Sequence, residues 1–120
     1  METITTDFHT ALDEWITQLQ HRMTTYFQTY YQNLEPPEIY AEVGRTWIRI
    51  VRGERNRTQC SAFAFVALND GQNKQLGVWK RGDIHMSASW QKPAKHGRGN
   101  IFDAYNGMRY VTPDVHIAYM

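Results

Sequence analysis

The chain has a single cysteine, Cys60, so no disulfide can form within it, as is usual for proteins of a reducing cytosol. Cys60 lies in an apolar stretch, and we expect a buried thiol. No apolar run approaches the ~20 residues needed to cross a bilayer. The first ten residues, METITTDFHT, contain no lysine or arginine and therefore lack the basic flank of a secretory signal. We expect a cytoplasmic protein without a membrane segment.

Motifs for phosphate binding, metal binding and catalysis are also absent. Neither a Walker loop nor a dinucleotide-binding glycine series occurs, and His85, His96 and His116 have no cysteine or carboxylate at metal-ligand spacing. His96 with Asn100 and Asp103 is compatible with a nuclease, but no pair of acids for Mg²⁺ accompanies these residues. We therefore predict a non-enzymatic protein with no metal and no cofactor.

Charge is unevenly distributed along the 120 residues, although the net charge is only +1. Residues 1–40 contain six acidic residues and one arginine, whereas residues 41–100 contain eleven basic and four acidic residues. Such a basic segment indicates an anionic partner, or two oppositely charged surfaces of the protein that meet each other.

Apolar residues recur every three or four positions over residues 6–33, which predicts one long amphipathic helix. The double proline at 36–37 ends the helical part, residues 1–35, because proline cannot continue the hydrogen-bond ladder. We expect the apolar stripe to be buried against a sheet or a second copy, and we predict a homodimer through residues 8–30. The stripe consists of Phe8, Leu12, Trp15, Leu19, Met23 and Tyr26, all expected to be buried, followed by Tyr30 and Leu34.

Beyond residue 38 the apolar period changes to two, which predicts strands. Strands are expected at 39–43, 45–52 and 59–68, and 76–80 should form a further hairpin with 84–90. Turns are predicted at 53–57 and 69–73, and Pro93, Gly97 and Gly99 indicate a loop. A helical turn at 101–105, capped by Asn100, and a last short strand should follow.

The predicted fold class is α+β, in which a long N-terminal helix packs on an antiparallel sheet of four or five strands. We expect residues 1–120 to form a single domain, of which residues 38–120 supply the sheet and a C-terminal motif loop.

The strand SAFAFVAL, residues 61–68, is similar to the aromatic octamer of RNA-recognition domains. That fold is not expected here, because a long helix comes first and no second long helix follows. Alternation places Phe63 and Phe65 on one face, which we assign to the core, and Ala62, Ala64 and Val66 on the other.

Strand 45–52 has a more suggestive pattern, since Ile48 and Ile50 share the inward face and leave Arg45, Trp47 and Arg49 facing outward. Arginine pairs with phosphate, and an exposed indole stacks on a base. This pattern therefore predicts a nucleic-acid-binding strand, with a charge-protected edge strand as the alternative.

The segment KRGDIHMSASWQKPAKHGRGNIFD, residues 80–103, concentrates basic and aromatic residues around glycines, which let a backbone approach a phosphate. We predict an anion-binding loop in which Trp90, Lys95, Arg98 and Asn100 lie close together. The alternative is a structural loop in which Trp90 fills the core and Arg98 binds carbonyl groups. With the strand pattern, the candidate nucleic-acid-binding or anion-binding residues are Arg45, Trp47, Arg49, Trp90, Lys92, Lys95, His96, Arg98 and Asn100.

The same segment resembles a motif of small, largely uncharacterised tailed-phage proteins, with GDI, SW, PAK and RGNIF in that order. These elements occur here at 82–84, 89–90, 93–95 and 98–102, and the likeness extends over roughly 45–120, without a counterpart for the N-terminal helix. The resemblance implies a viral origin and therefore a host bacterial cytoplasm, but no activity.

Three functional hypotheses follow from this sequence. The first is a protein that binds nucleic acid, single strands in preference, or an anionic nucleotide ligand. The second is an inhibitor of a bacterial anti-phage defence system, such as an anti-CRISPR or a nucleotide-signal sponge, which would contact a host defence protein. The third is a virion or assembly protein.

Overall fold

The computed structural model describes residues 6–53, 60–112 and 115–117 of the chain. Helix α1, Thr6–Tyr30, packs on a five-stranded antiparallel sheet, so the predicted α+β fold is confirmed. The predicted turn at 53–57 lies outside the described residues except for Gly53. The strands are β1 (Glu38–Val43), β2 (Trp47–Gly53), β3 (Cys60–Ala67), β4 (Gly71–Asn73), β5 (Gly77–Trp79), β6 (Asp83–Ser87) and β7 (Pro93–Asn100).

The sheet has the strand order β1-β2-β3-β6-β7, while β4 and β5 form a separate two-stranded ribbon. The predicted hairpin between 76–80 and 84–90 is therefore wrong, because β5 pairs back with β4 and β6 pairs with β3 and β7. Asn73 favours the turn between β4 and β5, because its side-chain oxygen accepts a hydrogen bond from the Leu76 N–H at 2.6 Å.

The predicted motif loop is also wrong, because residues 93–100 form the edge strand β7. Its pairing with β6 contains two irregularities, and Gly99 has a φ of 104°, a conformation that favours glycine. An edge strand tolerates such bulges and charged side chains, because only one of its sides must pair. The glycines and the proline that indicated a loop are thus accommodated in an irregular strand.

The apolar stripe of α1 packs on the chain's own sheet. Six residues of the stripe were expected to be buried, and five of them are. The sixth, Tyr26, is half-buried, and Tyr30 and Leu34 are exposed. The helix ends at Tyr30 rather than near residue 33. Its last turn extends past the apolar core, since Met23 is the last residue of the stripe that is buried. The stripe over residues 8–23 is not available to a second copy, and a homodimer through other residues of segment 8–30 stays a prediction.

Strand β3 contains a bulge at Phe63, since Ile50 is opposite Ala64 and Val51 is opposite Ala62. The extra residue turns Phe63 toward α1, where its ring centroid lies 6.4 Å from that of Trp15. Phe65 is buried but lies outside the core beneath the helix. Both phenylalanines are thus at least partly buried, but the prediction that they share a face is wrong.

Residues 101–112 follow the flank of α1 and, with residues 115–117, close the core. The Trp15 indole N–H donates to the Gly107 carbonyl at 3.2 Å, and Arg22 donates to the Val111 carbonyl at 2.6 Å. Residues 101–107 form consecutive turns rather than a helix, although Asn100 does accept the Phe102 N–H at 2.7 Å, as a cap would. An isolated bridge joins Val111 to Ile117 where a last strand was expected, and residues 118–120 of that strand lie outside the described part of the chain.

We expect Trp15→Ala to lower the free energy of unfolding by about 3–5 kcal/mol, because it empties a fully buried site. Trp15→Phe, which keeps an aromatic ring but leaves the Gly107 carbonyl without its donor, should retain part of the stability. Tyr30→Ala, on the same helix but 66% exposed, should change it by less than about 0.5 kcal/mol. Urea unfolding followed by circular dichroism measures all three; equal losses for Trp15→Ala and Tyr30→Ala would contradict the assigned core.

Candidate functional site

One row of residues crosses all five strands on the face turned away from α1. The register pairs Glu42 with Arg49, Arg49 with Phe65, Phe65 with His85, and His85 with Gly97. Residues directly opposite each other in antiparallel strands point to the same side of the sheet. We call the surface that carries this row the distal face.

Part of the distal face is covered by aromatic side chains. The Trp47 ring lies 5.2 Å from that of Trp79 and 4.9 Å from that of His85, between centroids. Trp79 and His85 are buried, and the Trp79 indole N–H donates to the Asn69 carbonyl at 3.0 Å. Trp79 thereby holds the β4–β5 ribbon against the sheet, and this cluster forms a small second core. Trp47, predicted to face a ligand, is half-buried in that cluster.

Beside this cluster, Arg49 and Trp90 form a stacked pair. The guanidinium carbon lies 4.4 Å from the indole centroid, and the Arg49 Nε donates to the Trp90 carbonyl at 2.8 Å. A second Arg49 nitrogen donates to the Glu42 carboxylate at 2.7 Å. Trp90 remains 41% exposed. Because the ion pair is itself partly exposed, it adds little stability; its effect is to fix where the guanidinium and the indole lie.

The turn that carries Trp90 is closed by its own backbone. The Lys92 carbonyl accepts the N–H groups of Ala88 and Ser89, at 2.8 and 3.2 Å. The side chain of Lys92 is exposed, and so are those of Lys95 and His96 on β7 and of Arg45 between β1 and β2. The structure thus presents four of the predicted basic or histidine residues to solvent.

Arg98 and Asn100 have different surroundings from those predicted. Arg98 is buried and donates to the Gly97 carbonyl at 3.2 Å. The Asn100 side-chain amide donates to the Arg81 carbonyl at 2.9 Å and to the Asp83 carboxylate at 3.0 Å. These contacts are structural.

The extended course of β7 separates the residues that were expected to form one site. Trp90 precedes the first residue of β7, and Asn100 is its last residue. The strand has eight residues and spans roughly 23 Å, at about 3.3 Å per residue. The prediction that Trp90, Lys95, Arg98 and Asn100 lie close together is therefore wrong. Trp47, Arg49 and Trp90 do lie on one surface.

The sequence analysis missed Glu42, Trp79 and His85. Glu42 was detectable in principle, because the two strands joined by the short connection around Gly44 place it opposite Arg49. Trp79 and His85 gave no comparable signal, since their contact with Trp47 depends on β6 pairing with β3.

Metal ligands do not cluster within residues 6–53, 60–112 and 115–117: no three His, Cys, Asp or Glu side chains are placed to hold an ion. Cys60 is exposed rather than buried, and its sulfur lies 3.5 Å from the Tyr40 hydroxyl. In the described part of the chain, no helix has both the length and the apolar character needed to span a membrane.

The chain belongs to a family of unknown function, DUF7717. The match covers residues 1–114 and so includes α1 together with the sheet. No curated protein and no solved structure matches the chain. The family carries no assigned activity, and the resemblance to tailed-phage proteins stays a prediction.

The contact between Trp79 and Gly71 offers a test of the distal face. A Cβ at position 71 would lie 2.4 Å from the Trp79 ring, whereas one at position 97 would lie 3.5 Å from the His85 ring. We expect Gly71→Ala to destabilise the fold by about 1–3 kcal/mol through overpacking, and Gly97→Ala to change stability by less than about 0.5 kcal/mol. Thermal unfolding and tryptophan fluorescence of both variants measure this difference. A Gly71→Ala protein with native stability and fluorescence would show that Trp79 does not cover the sheet as described.

Proposed function

We propose that this protein binds nucleic acid, single strands in preference to duplexes, through Trp90, Arg49 and the exposed cations near them, in the cytoplasm of a bacterial host. The observation that carries the proposal is the exposed indole of Trp90, held in place by the guanidinium of Arg49. Stacking on an aromatic ring is tolerant of base identity, because every base has a π face.

The electrostatic part of the proposal depends on the exposed basic residues. Arg45, Lys92 and Lys95 are exposed, and the single acid of the distal row, Glu42, is already paired with Arg49. Two of the five N–H groups of Arg49 are used in the bonds to Trp90 and Glu42, so donors remain for a phosphate. The proposed contacts with phosphate come from these four residues, and His96 contributes at the edge.

The preference for single strands follows from the geometry of stacking. An indole can stack on a base only when that base is unpaired and turned out of a duplex. A duplex would meet the same cations but not use Trp90. Arg98 and Asn100 are left out of the proposed site because Arg98 is buried and the Asn100 amide donates to Arg81 and Asp83.

The salt dependence of binding tests the electrostatic part. Four phosphate contacts predict that log affinity falls with log salt with a slope near −3, at about 0.7 per contact on a single strand. Arg45→Gln should reduce the slope by about 0.7, because it removes one phosphate contact. No described contact within the protein depends on the Arg45 side chain. Fluorescence anisotropy with labelled oligothymidylate at several salt concentrations gives both slopes. No binding to DNA or RNA single strands at low salt, or binding independent of salt, would contradict the proposal and favour the defence-inhibitor alternative.

Trp90→Ala tests the stacking part. We expect it to weaken single-strand binding by about 1–3 kcal/mol while the salt slope stays the same, because the indole carries no charge. It should have little effect on the weaker binding to a duplex of equal length. Tyr105→Ala is a matched control, since Tyr105 is 57% exposed but lies in the turns that follow β7. Equal losses from the two substitutions, or a Trp90→Ala protein that binds single strands normally, would exclude Trp90 as the stacking residue.

A further inference from the structure

A cleft of about 350 Å³ lies at the carbonyl end of α1, where the helix passes the end of β2. It is distinct from the distal face, because residues 49 and 52 of β2 are separated by an odd number of positions and point to opposite sides of the sheet. We call it the tyrosine cleft, and its lining residues are Tyr26, Phe27, Tyr31, Leu34, Arg52 and His116.

Aromatic rings form one side of the tyrosine cleft. The Tyr31 ring centroid lies 5.2 Å from that of Phe27 and 5.9 Å from that of Tyr26. Tyr31 is 46% exposed and Leu34 is 60% exposed; both follow the last turn of α1, where the chain extends past the core. Exposed aromatic residues grouped in a concavity are typical of a binding site, since a planar apolar group can cover them.

The other side of the tyrosine cleft is basic. Arg52 and His116 line it, and among the described residues that line the cleft none is a carboxylate. The Arg52 guanidinium is positioned beside the Val115 carbonyl, at 3.5 Å. The carbonyl end of a helix carries partial negative charge and disfavours an anion beside it. An anionic group would therefore lie on the Arg52 and His116 side, away from the last turn of α1.

We infer that the tyrosine cleft binds a nucleobase that carries a phosphate. The base lies on the rings of Tyr31 and Phe27, and the phosphate pairs with Arg52, whose planar guanidinium matches a phosphate geometrically. Such a ligand combines a planar aromatic group with one negative end. The first matches the aromatic side of the cleft, and the second matches the side that carries Arg52. The site does not depend on the proposed function of the distal face, and either can fail without the other.

Calorimetric titration tests the ligand class, with the four nucleoside 5′-monophosphates, the matching nucleosides and inorganic phosphate as probes. At least one monophosphate should bind about tenfold more tightly than its nucleoside or than phosphate alone, as expected for an added charge-assisted hydrogen bond. Binding of the free monophosphate indicates a free nucleotide as the source. Binding by the Trp90→Ala protein of a short oligonucleotide only when it carries a 5′-phosphate indicates the end of a strand, since a site that reads the strand itself would bind both forms; either result supports the shared chemistry. No binding of any of these probes would overturn the inference, as would equal binding of nucleoside and monophosphate.

Substitutions locate the site. Arg52→Gln should weaken monophosphate binding about tenfold and leave nucleoside binding nearly unchanged, whereas Arg52→Lys should retain part of the affinity. Tyr31→Ala, at an exposed position, should weaken the binding of both the monophosphate and the nucleoside. This variant tests the site if Arg52→Gln does not fold. Trp90 and Tyr30 are not among the residues that line the cleft, so the Trp90→Ala and Tyr30→Ala proteins should bind the monophosphate normally. Full affinity in the Arg52→Gln or Tyr31→Ala protein, or its loss in Trp90→Ala, would overturn the assignment.

Discussion

The apolar stripe of α1 packs on one face of a five-stranded sheet and buries Phe8, Leu12, Trp15, Leu19 and Met23. A sheet has two faces, and one helix covers only one of them, so the distal face must be covered by other means or carry polar groups. The β4–β5 ribbon covers part of it through Trp79. The part that the ribbon leaves open carries the Arg49–Trp90 pair.

The bulge in β3 gives each face of the sheet one aromatic residue from the same strand. Without the extra residue, Phe63 and Phe65 would point to the same side, and the contact between Phe63 and Trp15 would be lost. With it, Phe63 completes the core beneath α1, while Phe65 remains in the distal row between Arg49 and His85. The local irregularity thus serves the packing of both faces.

Strand β2 supplies an arginine to each of the two candidate binding surfaces, because Arg49 and Arg52 are three positions apart on a strand with a period of two. Each guanidinium lies near aromatic residues, but the surroundings differ. Arg49 is held by Glu42 and Trp90 on the distal face, whereas Arg52 lies in a concavity beside tyrosines. The first arrangement suits a chain of phosphates, and the second suits a compact ligand.

The sequence by itself determined the helix, most of its buried stripe, four of the five strands of the sheet (β1, β2, β3 and β6) and the outward direction of Arg49, because these follow from periods of 3.6 and two within short segments. Even so, periodicity misplaced Phe63 and mistook β7 for a loop, since a bulge and an irregular edge strand become visible only through the pairing of their partners. The tertiary structure alone decided that β6 lies between β3 and β7, and hence that Trp90 meets Arg49 while Arg98 is buried and Asn100 bonds to Asp83 of β6. The physical reason is that the pairing of a strand depends on how its side chains pack on both faces of the sheet. That packing involves several segments at once, and no single segment contains the information.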